Sequence, residues 1–149
     1  MSGTGERVRV VIVDDQDLIR AGLRAIVESR PDLTVVGEAE SGPLGAEVAA
    51  REAADVVLMD VQMPGGDGLR GLRQVLDARP EARVVMLTMY DLDEYVFQAL
   101  REGASGFLLK TTAPDDLTAA IRSVHDGRRV FAPTVLDRLV RAYVRRRAA

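Results

Sequence analysis

Five short apolar runs recur along the chain, and each is followed by a stretch with the helical spacing of apolar residues. The runs are Arg7–Val13, Leu33–Glu38, Asp55–Met59, Arg83–Leu87 and Gly106–Leu109. Three of them are almost continuously apolar, which is typical of parallel strands covered by helices on both faces. The strict alternation predicts an α/β fold, with a doubly wound, five-stranded parallel sheet and helices on both of its faces.

Local signals mark where several of the helices begin and end. Gly103 and Gly127 are predicted to lie just past the ends of the fourth and fifth helices, where a left-handed backbone is common. Asp17 is predicted to cap the first helix and Thr112 to cap the fifth, since both side chains can accept a bond from a free backbone N–H.

A sixth helix is predicted beyond Pro133, because six apolar residues share one of its faces: Val135, Leu136, Leu139, Val140, Tyr143 and Val144. Residues 128–149 hold seven Arg and one acid, a net charge of +6, so the rest of the chain must carry −9 to reach the overall −3. The basic segment is interpreted either as a solvated helix end or as a linker toward a part that meets nucleic acid.

The length of 149 residues suits one domain, with 47% apolar and 29% charged residues. We therefore expect a disordered N-terminus over residues 1–6, one domain over 7–127 and an Arg-rich linker helix over 128–149 without an effector domain. The absence of cysteine excludes disulfides and thiolate metal sites. No apolar run is long enough to span a bilayer and no signal peptide is visible, so a cytoplasmic location without membrane contact is expected.

Chemically distinctive residues follow four of the five predicted strands. Asp14 and Asp15 come after the first, Asp60 after the third, Thr88 after the fourth and Lys110 after the fifth. Because sites in open α/β sheets form beyond the carboxyl ends of the strands, these side chains should meet at one edge.

Three carboxylates at one edge repel each other unless one is protonated or a cation lies among them. With no His or Cys nearby, a hard divalent cation such as Mg²⁺ suits the cluster. The chain has 20 Lys and Arg residues, and Lys110 is its only lysine. A compact ammonium at this edge indicates chemistry that the broad guanidinium does not supply, and the whole set favours phosphoryl transfer to an aspartate.

Four segments around these residues resemble the receiver domain of two-component response regulators. They are Val11-Ile12-Val13-Asp14-Asp15, residues 58–68 (LMDVQMPGGDG), Val85-Met86-Leu87-Thr88 and residues 103–110 (GASGFLLK). The resemblance covers about residues 7–127 and implies a flavodoxin-like sheet with strand order 2-1-3-4-5. It implies that Asp60 is the phosphoacceptor.

The resemblance also assigns roles to the residues around Asp60. Asp15 would bind Mg²⁺ directly, Asp14 directly or through water, and Gln62 through its backbone carbonyl. These residues and Asp60 form the implied metal site, with Mg²⁺ as the cofactor.

Three further residues match the family's switching positions. Thr88 would bind a phosphoryl oxygen after transfer, and Lys110 would pair with another. Phe107 stands at the aromatic switch position, and since it lacks a hydroxyl its coupling would have to work through packing.

The closer resemblance is to the NarL/FixJ subfamily, which has a LuxR-type helix-turn-helix, and it is carried by residues 93–104 and 127–133. It implies a sensor histidine kinase as phosphodonor, a homodimer on phosphorylation, and transcriptional output through a C-terminal DNA-binding domain that residues 1–149 do not contain. A stand-alone receiver that signals by protein contact is the alternative. Here Thr111 follows the lysine, where many receivers have proline.

A phosphatase is the competing interpretation. Asp15-Gln16-Asp17 after the first strand resembles the Asp-x-Asp of haloacid dehalogenase-type phosphatases, but Asp60 would then have no role. We therefore expect no turnover enzyme, only Mg²⁺-dependent self-phosphorylation and slow autodephosphorylation.

Overall fold

The computed structural model describes residues 6–63, 66–89 and 93–148, over which strands and helices alternate. The strands are β1 Val8–Val13, β2 Leu33–Ala39, β3 Val56–Asp60, β4 Gln62–Met63, β5 Gly66–Asp67, β6 Arg83–Thr88, β7 Gly106–Leu109 and β8 Val130–Phe131. The helices are α1 Asp17–Glu28, α2 Gly42–Arg51, α3 Gly68–Ala78, α4 Asp93–Arg101, α5 Pro114–His125 and α6 Pro133–Ala148. Apart from Glu6, the segment expected to be disordered lies outside the described residues.

The main sheet has the strand order β2-β1-β3-β6-β7-β8, and every neighbouring pair in it is parallel. The five predicted strands therefore occur in the predicted order 2-1-3-4-5. The main sheet has six strands and not the expected five, because β8 pairs with β7 at its edge. A strand of two residues has no periodic pattern of its own, so the sequence did not reveal it.

The core lies on both faces of this sheet, as expected for parallel strands packed between helix layers. Every residue of β3 is buried, and β1 and β6 are buried over most of their length. The largest fully buried side chains include Phe107, Ile12, Leu58, Leu72 and Ile121, which come from three strands and two helices. Burying each such side chain contributes about 1.5–3 kcal/mol to the free energy of unfolding. This packing holds the strands, and therefore their carboxyl ends, in fixed positions. Among the described residues, no helix is both long and apolar enough to cross a membrane.

The helix caps predicted at Asp17 and Thr112 are both wrong. The residue before α1 is Gln16, and Asp17 is already the first residue of the helix. Ala113 precedes α5 and has no capping side chain, while the Thr112 hydroxyl donates to the carbonyl of Leu109. Thr112 is thus used to close the turn after β7 and not to start the helix.

The predicted glycine ends are confirmed. Gly103 follows α4 with φ of 102°, and Gly127 follows α5 with φ of 95°. Both values lie in the left-handed region, where a side chain is strained and glycine is not.

The sixth helix is present and packs against α4. Val135 and Ala142 are buried, Leu139 packs against the core, and the Arg146 guanidinium lies 4.7 Å from the centre of the Phe97 ring. A guanidinium at this distance over an aromatic face is attracted to the ring. The segment after α5 is therefore joined to the sheet through β8 and to α4 through α6.

The apolar face predicted for α6 is divided in the structure. Its inner residues meet the core, but four side chains remain exposed: Leu136, Val140, Tyr143 and Val144. The apolar arc is wider than the surface that α4 offers to it.

Replacing Gly68 with alanine should destabilise the fold strongly. Gly68 opens α3 and donates its N–H to the carbonyl of Val61 at 2.7 Å. A Cβ there would lie 2.7 Å from the Cα of Val61 and press on the carbonyl oxygen of Asp60. Because both contacts are backbone atoms, we expect the free energy of unfolding to fall by about 2–4 kcal/mol in urea denaturation.

Gly22→Ala is the matched control, since Gly22 lies within α1 and a Cβ there meets nothing within 4 Å. Its free energy of unfolding should rise by about 0.5–1 kcal/mol, because alanine has a higher helix propensity than glycine. Equal stability of the two variants would contradict the close approach described at Gly68.

Candidate functional site

The carboxyl edge of the main sheet carries the residues singled out in the sequence. Asp14 and Asp15 follow β1, Asp60 ends β3, Thr88 ends β6 and Lys110 follows β7. These strands are neighbours in the order β1-β3-β6-β7, so their ends meet at one place. The convergence expected from the chain order is therefore present.

The parallel register brings the first two acids together. Val13 of β1 lies opposite Met59 of β3, and the next residue along each of these two segments is Asp14 or Asp60, respectively. Both carboxylates are buried. Two acidic side chains are thus held side by side away from bulk water, where their repulsion is strong.

Lys110 connects these two acids. Its Nζ lies 2.7 Å from Asp14 Oδ2 and 3.0 Å from Asp60 Oδ1, and the lysine side chain is only 8% exposed. Its backbone N–H donates to the carbonyl of Thr88 at 2.7 Å, which fixes the start of the side chain beside β6. The ammonium offsets part of the negative charge of the pair.

The surroundings shift the pKa of both partners. Burial raises the pKa of the Asp60 carboxyl, and the neighbouring Asp14 charge raises it further, against the lowering effect of Lys110. Burial alone would lower the pKa of Lys110, but its hydrogen bonds and charge interactions with Asp14 and Asp60 hold it above the ordinary value. The lysine is therefore charged at neutral pH, and the ionised form of Asp60 is costly.

Backbone amides fix the orientation of the two buried carboxylates. The N–H of Gln16 donates to Asp14 Oδ1 at 2.8 Å, and the N–H of Gln62 donates to Asp60 Oδ1 at 3.2 Å. In each case the donor stands two residues after the acid, so the loop itself holds the side chain.

Arg20 is a residue of the site's framework that the sequence did not single out. Its guanidinium donates to the backbone carbonyl of Asp14 and pairs with Asp17 and Glu38. These contacts tie α1 and β2 to the loop after β1. Arginine is so common in this chain that one more gave no signal.

Asp14, Asp15 and Asp60 can bring one carboxylate oxygen each within 4.8 Å of one another. An octahedral Mg²⁺ with ligands at about 2.1 Å separates its ligand oxygens by about 3–4 Å, so small movements would complete such a set. Asp14 Oδ2 is buried and makes no well-aligned hydrogen bond, although it lies close to Lys110 Nζ. An all-oxygen set with one such atom fits a hard divalent cation.

The remaining predicted site residues have different surroundings. Thr88 is buried at the end of β6, beside Lys110 along the sheet edge. Gln62 has an exposed side chain, which agrees with a role for its backbone only. Phe107 is buried in the core within β7, opposite Met86 and two residues before the carboxyl end of the strand. Their assigned roles stay predictions.

Asp17 does not join the cluster. Its side chain is 90% exposed and pairs with Arg20 on the surface of α1. The second acid of an Asp-x-Asp phosphatase motif would have to face the site, so the geometry speaks against that alternative.

A doubly wound parallel sheet with three acids, a threonine and a lysine at its carboxyl edge defines a class, the phosphoacceptor receiver domains. The family model described as Response regulator receiver domain matches residues 10–122, and the chain belongs to this family. It was identified from the same motifs in the sequence, and that identification is confirmed.

The predicted LuxR-type subfamily is supported by a solved LuxR-family regulator that the chain resembles, and the curated relatives include transcriptional regulators. The transcriptional regulatory protein YxjL of Bacillus subtilis (strain 168) is 38% identical over 135 residues, covering 91% of this chain and 62% of that protein. The chain thus spans about three fifths of the length of the curated relatives it matches.

Solved structures agree with the sequence relatives. A LuxR-family two-component response regulator from Aurantimonas sp. SI85-9A1 superposes with a TM-score of 0.87 at 30% identity, covering 93% of this chain and 99% of that one. The signal receiver domain of the response regulator NarL from Mycobacterium tuberculosis has a TM-score of 0.78 at 36% identity, covering 83% and 99%.

Asp60→Asn should stabilise the protein in buffer without divalent cations. Because folding raises the pKa of Asp60, its ionised form costs stability at any pH above that raised pKa. At pH 7 the variant should melt about 2–5 °C higher, the shift expected from about 1 kcal/mol in a domain of this size. Below about pH 3.9, the ordinary pKa of aspartate, both states hold the proton and the advantage should vanish.

Glu47→Gln on the exposed face of α2 is the control for loss of one negative charge, and its melting temperature should change by about 1 °C or less. Thermal melts by circular dichroism in EDTA at several pH values decide the matter. A gain for Asp60→Asn that persists unchanged in acid would contradict the sign of the pKa shift.

Proposed function

We propose that Asp60 accepts a phosphoryl group from a sensor histidine kinase and that this modification switches a transcriptional output. The observation that carries the proposal is the buried Asp60 carboxylate, held at the sheet edge with Lys110 Nζ 3.0 Å from its Oδ1. Membership of the receiver family supports it, as do relatives whose names describe transcriptional regulation.

The chemistry assigned to Asp60 needs one free carboxylate oxygen. The described contacts of this side chain, with Lys110 Nζ and the Gln62 N–H, both involve Oδ1. We therefore assign the attack to Oδ2. It forms a bond to phosphorus while the bond from phosphorus to the donor's imidazole nitrogen breaks, and that imidazole leaves neutral after taking up a proton.

Lys110 and Thr88 would act on the transferred group. The ammonium can leave Asp60 Oδ1 for a phosphoryl oxygen close by and so balance part of the incoming charge. The Thr88 hydroxyl would bind a second phosphoryl oxygen after transfer, and the loop after β6 would follow it. We propose that Phe107 responds to this movement through packing, since its ring has no hydroxyl to donate.

Asp14, Asp15, Asp60 and the Gln62 carbonyl would hold Mg²⁺ at this site. When bound, the cation neutralises carboxylate charge and polarises the phosphoryl group. The three carboxylates and one ammonium leave two negative charges, which would repel a phosphoryl donor without such a cation. Asp14 Oδ2 would then exchange its ion pair with Lys110 for a metal contact, freeing the lysine for phosphate.

In the whole protein, we propose that the output is DNA binding by a C-terminal helix-turn-helix domain and that phosphorylation favours a homodimer. Residues 7–127 would form the receiver and residues 128–149 the link to that domain. The chain would act without turnover, limited to Mg²⁺-dependent self-phosphorylation and slow autodephosphorylation.

Mg²⁺ should bind weakly and perturb the loops after β1 and β3 in an NMR titration. Weak binding is expected because Mg²⁺ keeps most of its waters until phosphate completes its coordination. Asp15→Asn should weaken binding by about tenfold or more, by analogy with lost metal-site partners. Asp17→Asn is the matched control two residues away, where the side chain faces solvent, and it should bind like the unmodified protein. Equal affinities for the two variants would reject the proposed ligand set.

With Mg²⁺ and acetyl phosphate, the protein should gain one phosphoryl group in intact-mass spectrometry. Asp60→Asn should gain none, because an amide is a poor nucleophile, and the bond in the unmodified protein should be cleaved by hydroxylamine, as an acyl phosphate is. Thr88→Ala should still be phosphorylated but not transmit the change to the surroundings of Phe107 in NMR spectra. Lys110→Arg should fold yet switch poorly, since the guanidinium cannot replace the compact charge. A mass gain by Asp60→Asn equal to that of the unmodified protein would refute the site.

A further inference from the structure

Exposed apolar side chains are concentrated on α6. Over the described parts of the chain, four of the seven large apolar residues that are exposed belong to this helix, each with 50–60% of its surface accessible. They are Leu136, Val140, Tyr143 and Val144, and we call them the outer stripe. Contiguous apolar patches of this kind on a folded domain mark interaction surfaces.

The outer stripe is held in place by the adjoining inner side of α6. Val135 and Ala142 are buried, and Arg146 lies over the Phe97 ring of α4. Since the helix is fixed to the receiver by its inner side, it cannot rotate to bury the stripe in its own chain. The stripe is therefore open to contact with another molecule.

The spacing of the stripe suits another helix. Three residues of the stripe, Leu136, Val140 and Tyr143, follow one another by four and three residues, the repeat of a coiled-coil seam, and Arg147 stands at the next position of that repeat. Pro133 lies three residues before Leu136 on the same side and lines an apolar groove of about 550 Å³ between α5, β7 and β8. Asp116 is the one charged residue in the described lining of that groove. The seam thus runs from a cationic end to a groove with an acid in its lining.

We propose that the outer stripe pairs two copies of this chain through antiparallel α6 helices. In this register Val140 lies opposite Tyr143 of the second copy, and Leu136 lies opposite its Arg147. The long arginine side chain can then reach toward the groove and Asp116. A parallel pair would instead place Arg147 of both copies side by side, and that repulsion favours the antiparallel arrangement.

The size of the surface sets the strength of the pairing. The outer stripe offers roughly 400 Å² from each copy, so the pair buries less than the about 1,200 Å² of a standard stable interface. We therefore expect a weak dimer, with a dissociation constant on the order of 100 μM. The stripe is exposed without any phosphoryl group, so this pairing does not depend on the proposed phosphorylation of Asp60.

Sedimentation velocity of residues 1–149 over a concentration series tests the pairing. The unmodified chain should shift from monomer toward dimer as its concentration rises into the hundreds of micromolar. The double variant Val140→Ser with Tyr143→Ser should remain monomeric over this series. Its dissociation constant should be at least tenfold higher than that of the unmodified chain. Leu18→Ser on α1 removes another exposed apolar side chain and should pair like the unmodified chain.

Asp60→Asn should also pair normally, which separates this proposal from the phosphoacceptor assignment. A chain that stays monomeric throughout the series overturns the proposal, and the stripe would then serve a different molecule, such as a following domain. A dimer that survives the double serine variant overturns it as well, because the contact would lie elsewhere.

Engineered cysteines test the orientation, since the chain has none of its own. Leu136→Cys alone should not form a disulfide-linked dimer under mild oxidation, because the two sites would be roughly 16 Å apart along the helices. A mixture of Leu136→Cys and Arg147→Cys chains should give the mixed dimer. Efficient linkage of Leu136→Cys to itself would show a parallel pair and overturn the antiparallel arrangement.

Discussion

Lys110 Nζ lies between Asp14 Oδ2 and Asp60 Oδ1, at 2.7 and 3.0 Å, and the organisation of the sheet edge depends on this contact. Two buried carboxylates one strand apart would repel each other without it, and with Asp15 beside them the cluster still has an excess of negative charge. One lysine lessens the repulsion but does not remove it. Burial of the Asp60 carboxyl, together with the charge of Asp14, keeps its pKa above the ordinary value.

The fold keeps this unfavourable cluster in place through rigid parts around it. β1 and β3 are buried strands whose parallel register sets the acids side by side. Backbone N–H groups two residues after Asp14 and Asp60 then orient the carboxylates. Arg20 fixes the loop after β1 by donating to the backbone carbonyl of Asp14. Burying the carboxylates at this edge lowers the stability of the fold, and the apolar packing of the sheet offsets that cost. Such a cost is common at sites that are arranged in advance for a charged ligand.

The edge also connects to the outer surface of the molecule through α4. Thr88 ends β6, α4 follows it along the chain, and α6 packs on α4 with Arg146 over Phe97. The helix that carries the exposed apolar stripe therefore rests on the element nearest in sequence to Thr88. A movement of α4 would reach that stripe without crossing the core.

The alternation of apolar runs and helical stripes was enough to determine the α/β class and the four strand ends that carry Asp14, Asp60, Thr88 and Lys110, whereas the strand order 2-1-3-4-5 came from the family resemblance. This is so because parallel strands buried on both faces leave a periodic signal, and because all their carboxyl ends must share one edge. Lys110 stood out since an arginine-rich chain has only one lysine. β8 had too few residues for a periodic signal, and Arg20 could not be distinguished among the arginines.

Only the tertiary structure decided which local signals were used and which apolar residues of α6 were covered. Thr112 and Asp17 have side chains suited to capping, yet one closes a turn and the other pairs with Arg20. Six apolar residues on one side of α6 look alike in the sequence, but α4 covers only part of that side. Burial depends on the shape of the neighbouring element, and that shape is set by contacts between residues far apart in the chain.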